Sequence, residues 1–209
     1  MTGKILNQVL PAERGLKRPG PAAGEENLWV AASQKGDTLA FNRLVLKWEK
    51  AIYNLALRML HDPDEAAEAA QDVFFSAFRN IRKFRTDSKF STWLYRIAVN
   101  HCISRLRKKP PGVHLSLDGQ RDQIPLTDRL PGPGSHEQAL LREESRRRVR
   151  SAMQSLPPEQ RAVVELKFFQ DLTIEEISAI CEIPLSTIKS RVYAGLESMK
   201  SRLGDLSPA

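Results

Sequence analysis

Cysteine is scarce in this chain. Only Cys102 and Cys181 occur among 209 residues, far apart, which excludes a disulfide framework and suits a reducing compartment. Long apolar runs are also missing: nothing approaches the ~20 residues that span a bilayer. Near the N-terminus the one short apolar stretch, Ile5 to Leu10, has no small-residue cleavage site behind it, so no signal peptide is expected. These absences predict a soluble, cytoplasmic protein. The four histidines show no ligand spacing around either cysteine, and His101-Cys102 reads as ordinary helix. No Gly-rich loop or nucleophile–base set accompanies the acids at Asp62, Asp64 and Glu65, so neither an enzyme nor a bound cofactor or metal is expected.

Acid is outnumbered by base. The net charge is +7, with a pI near 9.6, and that balance points towards a polyanionic partner. Its distribution is more informative than its total. From His61 to Asp72 there are five acids (Asp62, Asp64, Glu65, Glu68, Asp72) and no Lys or Arg. From Arg79 to Lys109 there are ten basic residues and one acid, Asp87. An acidic segment suits a basic protein surface, and the basic one suits nucleic acid. Within the basic stretch, Phe84, Phe90, Trp93 and Tyr95 alternate with Arg79, Arg82, Lys83, Arg85, Lys89 and Arg96. Rings that stack on unpaired bases, beside cations that hold a backbone, suit single-stranded nucleic acid. Each ring taken alone reads equally well as core.

What periodicity there is, is helical, and no strand-like alternation or internal repeat stands out. Phe41, Leu44, Val45, Trp48, Ile52, Leu55, Ala56 and Met59 recur at spacings of three and four, an apolar stripe on one helix. His61-Asp62-Pro63 breaks it: Asp62 suits an N-cap and Pro63 the first position of a new helix running to about Phe78. A loop around Thr86 to Ser88 leads to a helix from about Ser91 to Arg107. Residues 1–25 read as a disordered tail. Residues 110–135, with five prolines and four glycines, read as a flexible linker. The fold class is all-α, with two small helical domains at 26–109 and 136–204 and a short tail at 205–209.

The second domain contains a helix-turn-helix pattern. Thr173-Ile174-Glu175-Glu176 reads as a capping box. Cys181-Glu182-Ile183-Pro184 breaks the chain, and a second helix buries Ile188, Val192, Leu196 and Met199. Its other side carries Ser186, Thr187, Lys189, Ser190, Arg191 and Tyr193, donors and cations suited to phosphates and base edges in a major groove.

At these residues the chain resembles a known family. Gln34-Lys35-Gly36-Asp37, Ala56-Leu57-Arg58-Met59-Leu60, Gln71-Asp72-Val73-Phe74 and the run from Phe84 to Asn100 resemble region 2 of bacterial sigma-70 family RNA polymerase sigma factors. Leu156-Pro157-Pro158-Glu159-Gln160-Arg161 and the run from Ile183 to Arg191 resemble region 4. Having only these two regions is the pattern of the extracytoplasmic-function (ECF), sigma-E-like subfamily. The resemblance implies that Asp64, Glu68, Gln71, Asp72 and Phe75 dock on core RNA polymerase, chiefly its β′ coiled coil and also β. It further implies that Phe84, Arg85, Thr86, Phe90, Ser91, Thr92, Trp93, Arg96, Asn100 and Arg105 engage the −10 element of promoter DNA, where a flipped base is held in a pocket. Ser186, Thr187, Lys189, Ser190, Arg191 and Tyr193 would read the −35 duplex. A further expected partner is an anti-sigma factor, often membrane-bound in this family. Two positions depart from the pattern. Ala194-Gly195 stands where further basic residues are common, and Glu68-Ala69-Ala70-Gln71 lacks a customary Leu. A conventional duplex-binding transcription factor and an RNA-binding adaptor are the alternative readings.

Overall fold

The computed structural model describes residues 23–85, 87–108 and 136–205, all helix or short connection with no strand among them. The expected tail to residue 22 and the linker at 110–135 lie outside the described residues. Four helices form the first half: α1 (Ala23–Gln34), α2 (Thr38–Leu60), α3 (Pro63–Asn80) and α4 (Phe90–Lys108), with a 3-10 turn at Ile81–Lys83 before the last. The second half contains α5 (His136–Gln154), α6 (Pro158–Phe168), α7 (Ile174–Cys181) and α8 (Leu185–Asp205).

Local chemistry places most of the boundaries. Gly36 takes a φ of +98° in the turn before α2, a value that suits glycine, and the Asp37 carboxylate accepts from the Ala40 N–H. Helix α2 stops at His61, which adopts the left-handed conformation and donates its N–H to the Leu57 carbonyl. One residue later Asp62 accepts from the N–H groups of Asp64 and Glu65, with Pro63 opening α3. Stop and start signals thus lie side by side, and the chain reverses over two residues.

The stripe on α2 is buried as its spacing predicts, from Phe41 through Leu44, Trp48, Ile52 and Leu55 to Met59. Against it α3 presents Ala66, Ala69, Ala70, Val73 and Ala77, small side chains that let the two helices approach closely. The customary Leu that α3 lacks is thus replaced by a close-packed alanine face. Helix α4 adds Leu94, Ala98, Val99 and Cys102. Each large apolar side chain taken fully from water contributes about 1.5–3 kcal/mol. Gln34 ties the bundle's end together, its Nε2 donating to the carbonyls of Ile81 and Phe84 at 3.2 and 2.7 Å.

In the second half, α6 is buried at six consecutive positions, Arg161 to Leu166. A helix buried all round has neighbours on both sides. One side, with Val164, packs with Val149, Met153, Leu156 and Met199 into a cluster of α5, α6 and α8. The other, with Ala162, Val163 and Leu166, joins Ile177, Ile180, Ile188 and Val192 in one continuous cluster with α2, α3 and α4. The two halves therefore share a hydrophobic core, where the sequence suggested two units joined only by a linker.

Gly195 has its reason here. A Cβ at that position would stand 2.9 Å from Val164 Cγ2, closer than packed carbons tolerate, so α8 can cross α6 only with glycine at the crossing. Gly195→Ala should gain up to ~1 kcal/mol in helix propensity and lose about 1–3 kcal/mol to overpacking. The expected net result is a lower melting temperature by circular dichroism.

Candidate nucleic-acid interface

Three surfaces carry the residues expected to act. The recognition helix α8 is entered through Pro184, whose carbonyl accepts from the Ile188 N–H. Thr173 Oγ1 accepts from the Glu176 N–H and the Glu176 carboxylate accepts from the Thr173 N–H, completing the capping box that starts α7. Ile188 and Val192 are buried, while Ser186, Lys189 and Ser190 are exposed and Thr187 and Arg191 are half-buried. Tyr193 is 72% exposed, far more than a ring needs for packing. The α8 face expected to contact DNA thus stands outward, and Ala194-Gly195 lies beyond it at the crossing with α6.

On α3, Asp64, Glu68, Gln71 and Asp72 are exposed along one edge, with Phe75 62% exposed beside them. Glu68 and Asp72 are not free-standing. Arg105 of α4 donates to Glu68 at 3.0 Å and to Asp72 at 2.9 Å. Arg105 was expected to hold a −10 phosphate; in this arrangement it is engaged by the carboxylates expected to meet the polymerase. Burial works to lower the Arg105 pKa, but its bonds and charge contacts with Glu68 and Asp72 outweigh it and raise the value.

The third surface is the loop after the 3-10 turn together with α4. Phe84, Phe90 and Trp93 pack on one another at centroid distances of 5.1 to 5.9 Å. Phe84, Phe90, Ser91, Thr92 and Tyr95 are buried, and Trp93 is half-buried. The stacking role expected of Phe84 and Phe90 is therefore not open to their rings here; they hold the loop's shape. Thr86 lies outside the described residues. Arg85 and Asn100 are exposed. Arg96 is neither free nor solvated: its Nη1 donates to the Glu182 carboxylate at 2.6 Å and its Nη2 to the Ala179 carbonyl at 2.8 Å.

That pairing belongs to a set of contacts joining the halves. Lys89 meets Glu176 at 3.2 Å, and the Tyr95 hydroxyl donates to the Gln170 side chain at 2.8 Å. Arg107 pairs with Glu159; burial would raise the Glu159 carboxyl, but the Arg107 bond and the Arg107 and Arg191 charges hold it below the usual range. Deepest is Arg58, whose Nε donates at 2.7 Å to Glu165, a carboxylate with no exposed side-chain surface. Desolvation raises the Glu165 pKa despite Arg58 and Gln170. Arg161 donates to the carbonyls of Met59, Gln154 and Leu156, and its burial pulls its pKa down to about 10. Sequence reasoning missed Arg58, Glu165 and Gln170. The available signal was a Glu four residues after Arg161 on a helix otherwise apolar from Ala162 to Leu166.

No helix among the described residues is long and apolar enough to cross a membrane. Family comparison matches residues 44–110 to Sigma-70 region 2 and residues 146–199 to Sigma-70, region 4. The chain is 36% identical to RNA polymerase sigma-H factor of Pseudomonas aeruginosa over 85% of this chain and 93% of that one. It is 36% identical to ECF RNA polymerase sigma factor SigW of Bacillus subtilis, over 83% and 94%. To ECF RNA polymerase sigma-E factor of Escherichia coli it is 32% identical, over 87% and 95%. The chain belongs to the sigma-70 family, in its ECF group. Among solved structures, CnrH in complex with the cytosolic domain of CnrY superposes with a TM-score of 0.64 at 17% identity, covering 88% of this chain and 99% of that one. The sigma factor RpoE bound to the anti-sigma factor NepR from Bartonella quintana gives 0.56 at 23%, covering 80% and 98%. These two support the all-helical fold.

In this sigma factor His101 stands between Arg105 and Asp72. Its Nε2 accepts from Arg105 Nε at 3.0 Å, which requires the neutral ring, so the 3.3 Å approach to Asp72 is not a charged pair. Burial, then the Arg105 charge, holds the imidazole below its ordinary value against the pull of Asp72. A depressed histidine contributes stability that is complete above the unfolded pKa near 6.5 and is lost as pH falls through the folded value. Proton NMR titration should place the His101 midpoint below 6.5. A midpoint above it would mean that Asp72, not Arg105, governs the ring.

Proposed function

We propose that this sigma factor binds bacterial core RNA polymerase in the cytoplasm and directs initiation at promoters carrying a −10 and a −35 element. In this reading residues 26–109 act as region 2 and residues 136–204 as region 4. The acidic edge of α3 (Asp64, Glu68, Gln71, Asp72 and Phe75) docks on the β′ coiled coil. Arg85, Trp93, Arg96 and Asn100 engage the melted −10 strand, with Asn100 offering a side-chain amide to a base edge. Arg105 joins them once released from Glu68 and Asp72. Ser186, Thr187, Lys189, Ser190, Arg191 and Tyr193 of α8 read the −35 duplex from the major groove. Nucleotidyl transfer is left to the polymerase. An anti-sigma factor restrains the protein, as NepR accompanies RpoE in the structure named above.

The observation that carries this reading is the co-occurrence, in one chain and in order, of both regions, with relatives matched over more than nine-tenths of their own lengths. The outward-facing Tyr193 and Lys189 of α8 add to it.

The test is run-off transcription by purified core polymerase on sheared genomic DNA, with 5′ ends mapped with and without this chain. Discrete new starts that share two upstream elements are expected. Without core binding or new starts, the protein would be a conventional transcription factor. On a promoter found this way, Arg191→Ala should reduce −35-dependent use several-fold, since one base or phosphate contact is worth about 1–3 kcal/mol. Asn100→Ala should weaken discrimination among −10 strands and leave core binding intact. Unchanged promoter use by either variant would show that residue to be misassigned.

A further inference from the structure

The strand-reading face of α4 is covered by the chain's own second half, and the groups covering it are chemically like DNA. Two carboxylates, Glu176 and Glu182, and one backbone carbonyl, Ala179 O, stand on Lys89 and Arg96. Carboxylate oxygens at 2.6–3.2 Å from these cations occupy the positions that phosphate oxygens would take. Nearby, Gln170 accepts the Tyr95 hydroxyl proton. Both guanidinium Nη atoms of Arg96 are occupied, so the side chain cannot hold a DNA backbone while α7 remains in place.

The closure also contains groups that a permanent interface would satisfy. Glu165 Oε2, Arg161 Nε and Arg96 Nε are buried without a hydrogen-bond partner, each a desolvation cost that opening would relieve. Apolar burial across α2, α4, α6 and α7 favours closure, and these unpaired groups oppose it. Opposed terms of that kind leave a contact separable by a partner that binds one half more tightly when it is free.

We propose that α6 and α7 form an intramolecular lid, with Glu176 and Glu182 as an internal substitute for promoter phosphates, so that the free chain withholds its −10 strand-binding face. The inference rests on the assignment of that face to the −10 strand. Strand binding and lid closure are mutually exclusive, since both need Arg96. The −35 face of α8 remains outward in the closed state, so the lid blocks one promoter element and leaves the other exposed.

The experiment measures fluorescence anisotropy of a labelled non-template −10 strand, taken from a promoter mapped by run-off, with the free full-length chain and with holoenzyme. Arg58→Ala combined with Glu182→Gly removes one charge from each side of the closure. Glu182 caps α7 at a φ of +56°, where glycine is favoured, so this change does not weaken the helix-turn-helix itself. The free double variant should bind the strand at least tenfold more tightly than the wild type and show a larger radius of gyration by small-angle scattering.

A second arm does not depend on that variant folding. Lys89→Cys with Glu176→Cys, joined by a cleavable bismaleimide, should bind no strand until the linker is cut. The native thiols interfere little, because burial pushes Cys102 up to about 12 and Cys181 up to about 11. A linked chain that binds as well as the cut one overturns the lid, as does a wild-type chain already extended in scattering. If holoenzyme itself fails to retain the strand, the assignment of the face has failed rather than the lid.

Discussion

Helix α6 has water on almost none of its surface, and much of the molecule follows from that. Six consecutive buried residues cannot face one neighbour, because a helix turns through all directions in under four residues. One side of α6 is therefore committed to α5 and α8, which builds the helix-turn-helix. The other is committed to α2 and α4, which brings the second half onto the first. Gly195 permits the first packing by letting α8 approach Val164. Arg58 and Arg161 permit the second: Arg58 meets the Glu165 carboxylate inside the interface, and Arg161 satisfies the Met59 carbonyl at the end of α2.

The consequence for function is a division of labour between faces. Along α3 an acidic edge stands in solvent, backed by a face of alanines that fixes how close α2 can come. Helix α4 shares its cations between two sets of acids. Arg105 answers Glu68 and Asp72 on one flank, and Arg96 answers Glu182 on another. A basic stretch that looks in sequence like an open nucleic-acid surface is internally neutralised at these two positions. Arg85 and Asn100 remain exposed beside them. Interaction with DNA at Arg96 or Arg105 is then an exchange of one anion for another, and such exchanges depend strongly on salt.

Legibility in the sequence followed the range of the interaction. The stop at His61, the cap at Asp62, the proline at 63 and the capping box at Thr173 are set by neighbours within four residues, and the helices begin and end close to where those signals stand. The stripe on α2 was readable because burial on one side leaves a period. On α6 burial on both sides leaves no period to read. The contacts between halves were invisible for a related reason: Arg58 with Glu165, and Arg96 with Glu182, are 107 and 86 residues apart, and nothing local marks one as the partner of the other. The aromatics at 84, 90 and 93 mark the other limit. Ring and cation alternation is the same for a stacking platform and for a loop that packs on itself, and only the three-way contact of Phe84, Phe90 and Trp93 separates the two. Gly195 looked like a gap in a basic pattern, whereas its cause is steric and lies on another helix.

The energetic position of the closed form decides what a partner must supply. A closed state favoured tenfold needs ~1.4 kcal/mol to bring to balance, and one favoured ten-thousandfold needs ~5.5 kcal/mol. The apolar cluster that crosses between halves favours the upper part of that range. The buried carboxylate of Glu165, whose charged form is disfavoured by desolvation even with Arg58 beside it, favours the lower. A single exposed ion pair such as Lys89 with Glu176 contributes too little to alter that outcome. The balance therefore rests on Glu165 and the apolar residues around it. The surface acids of α7 contribute something else, which is specificity: placed on Arg96 and Lys89, they ensure that what closes the molecule is also what keeps nucleic acid off it.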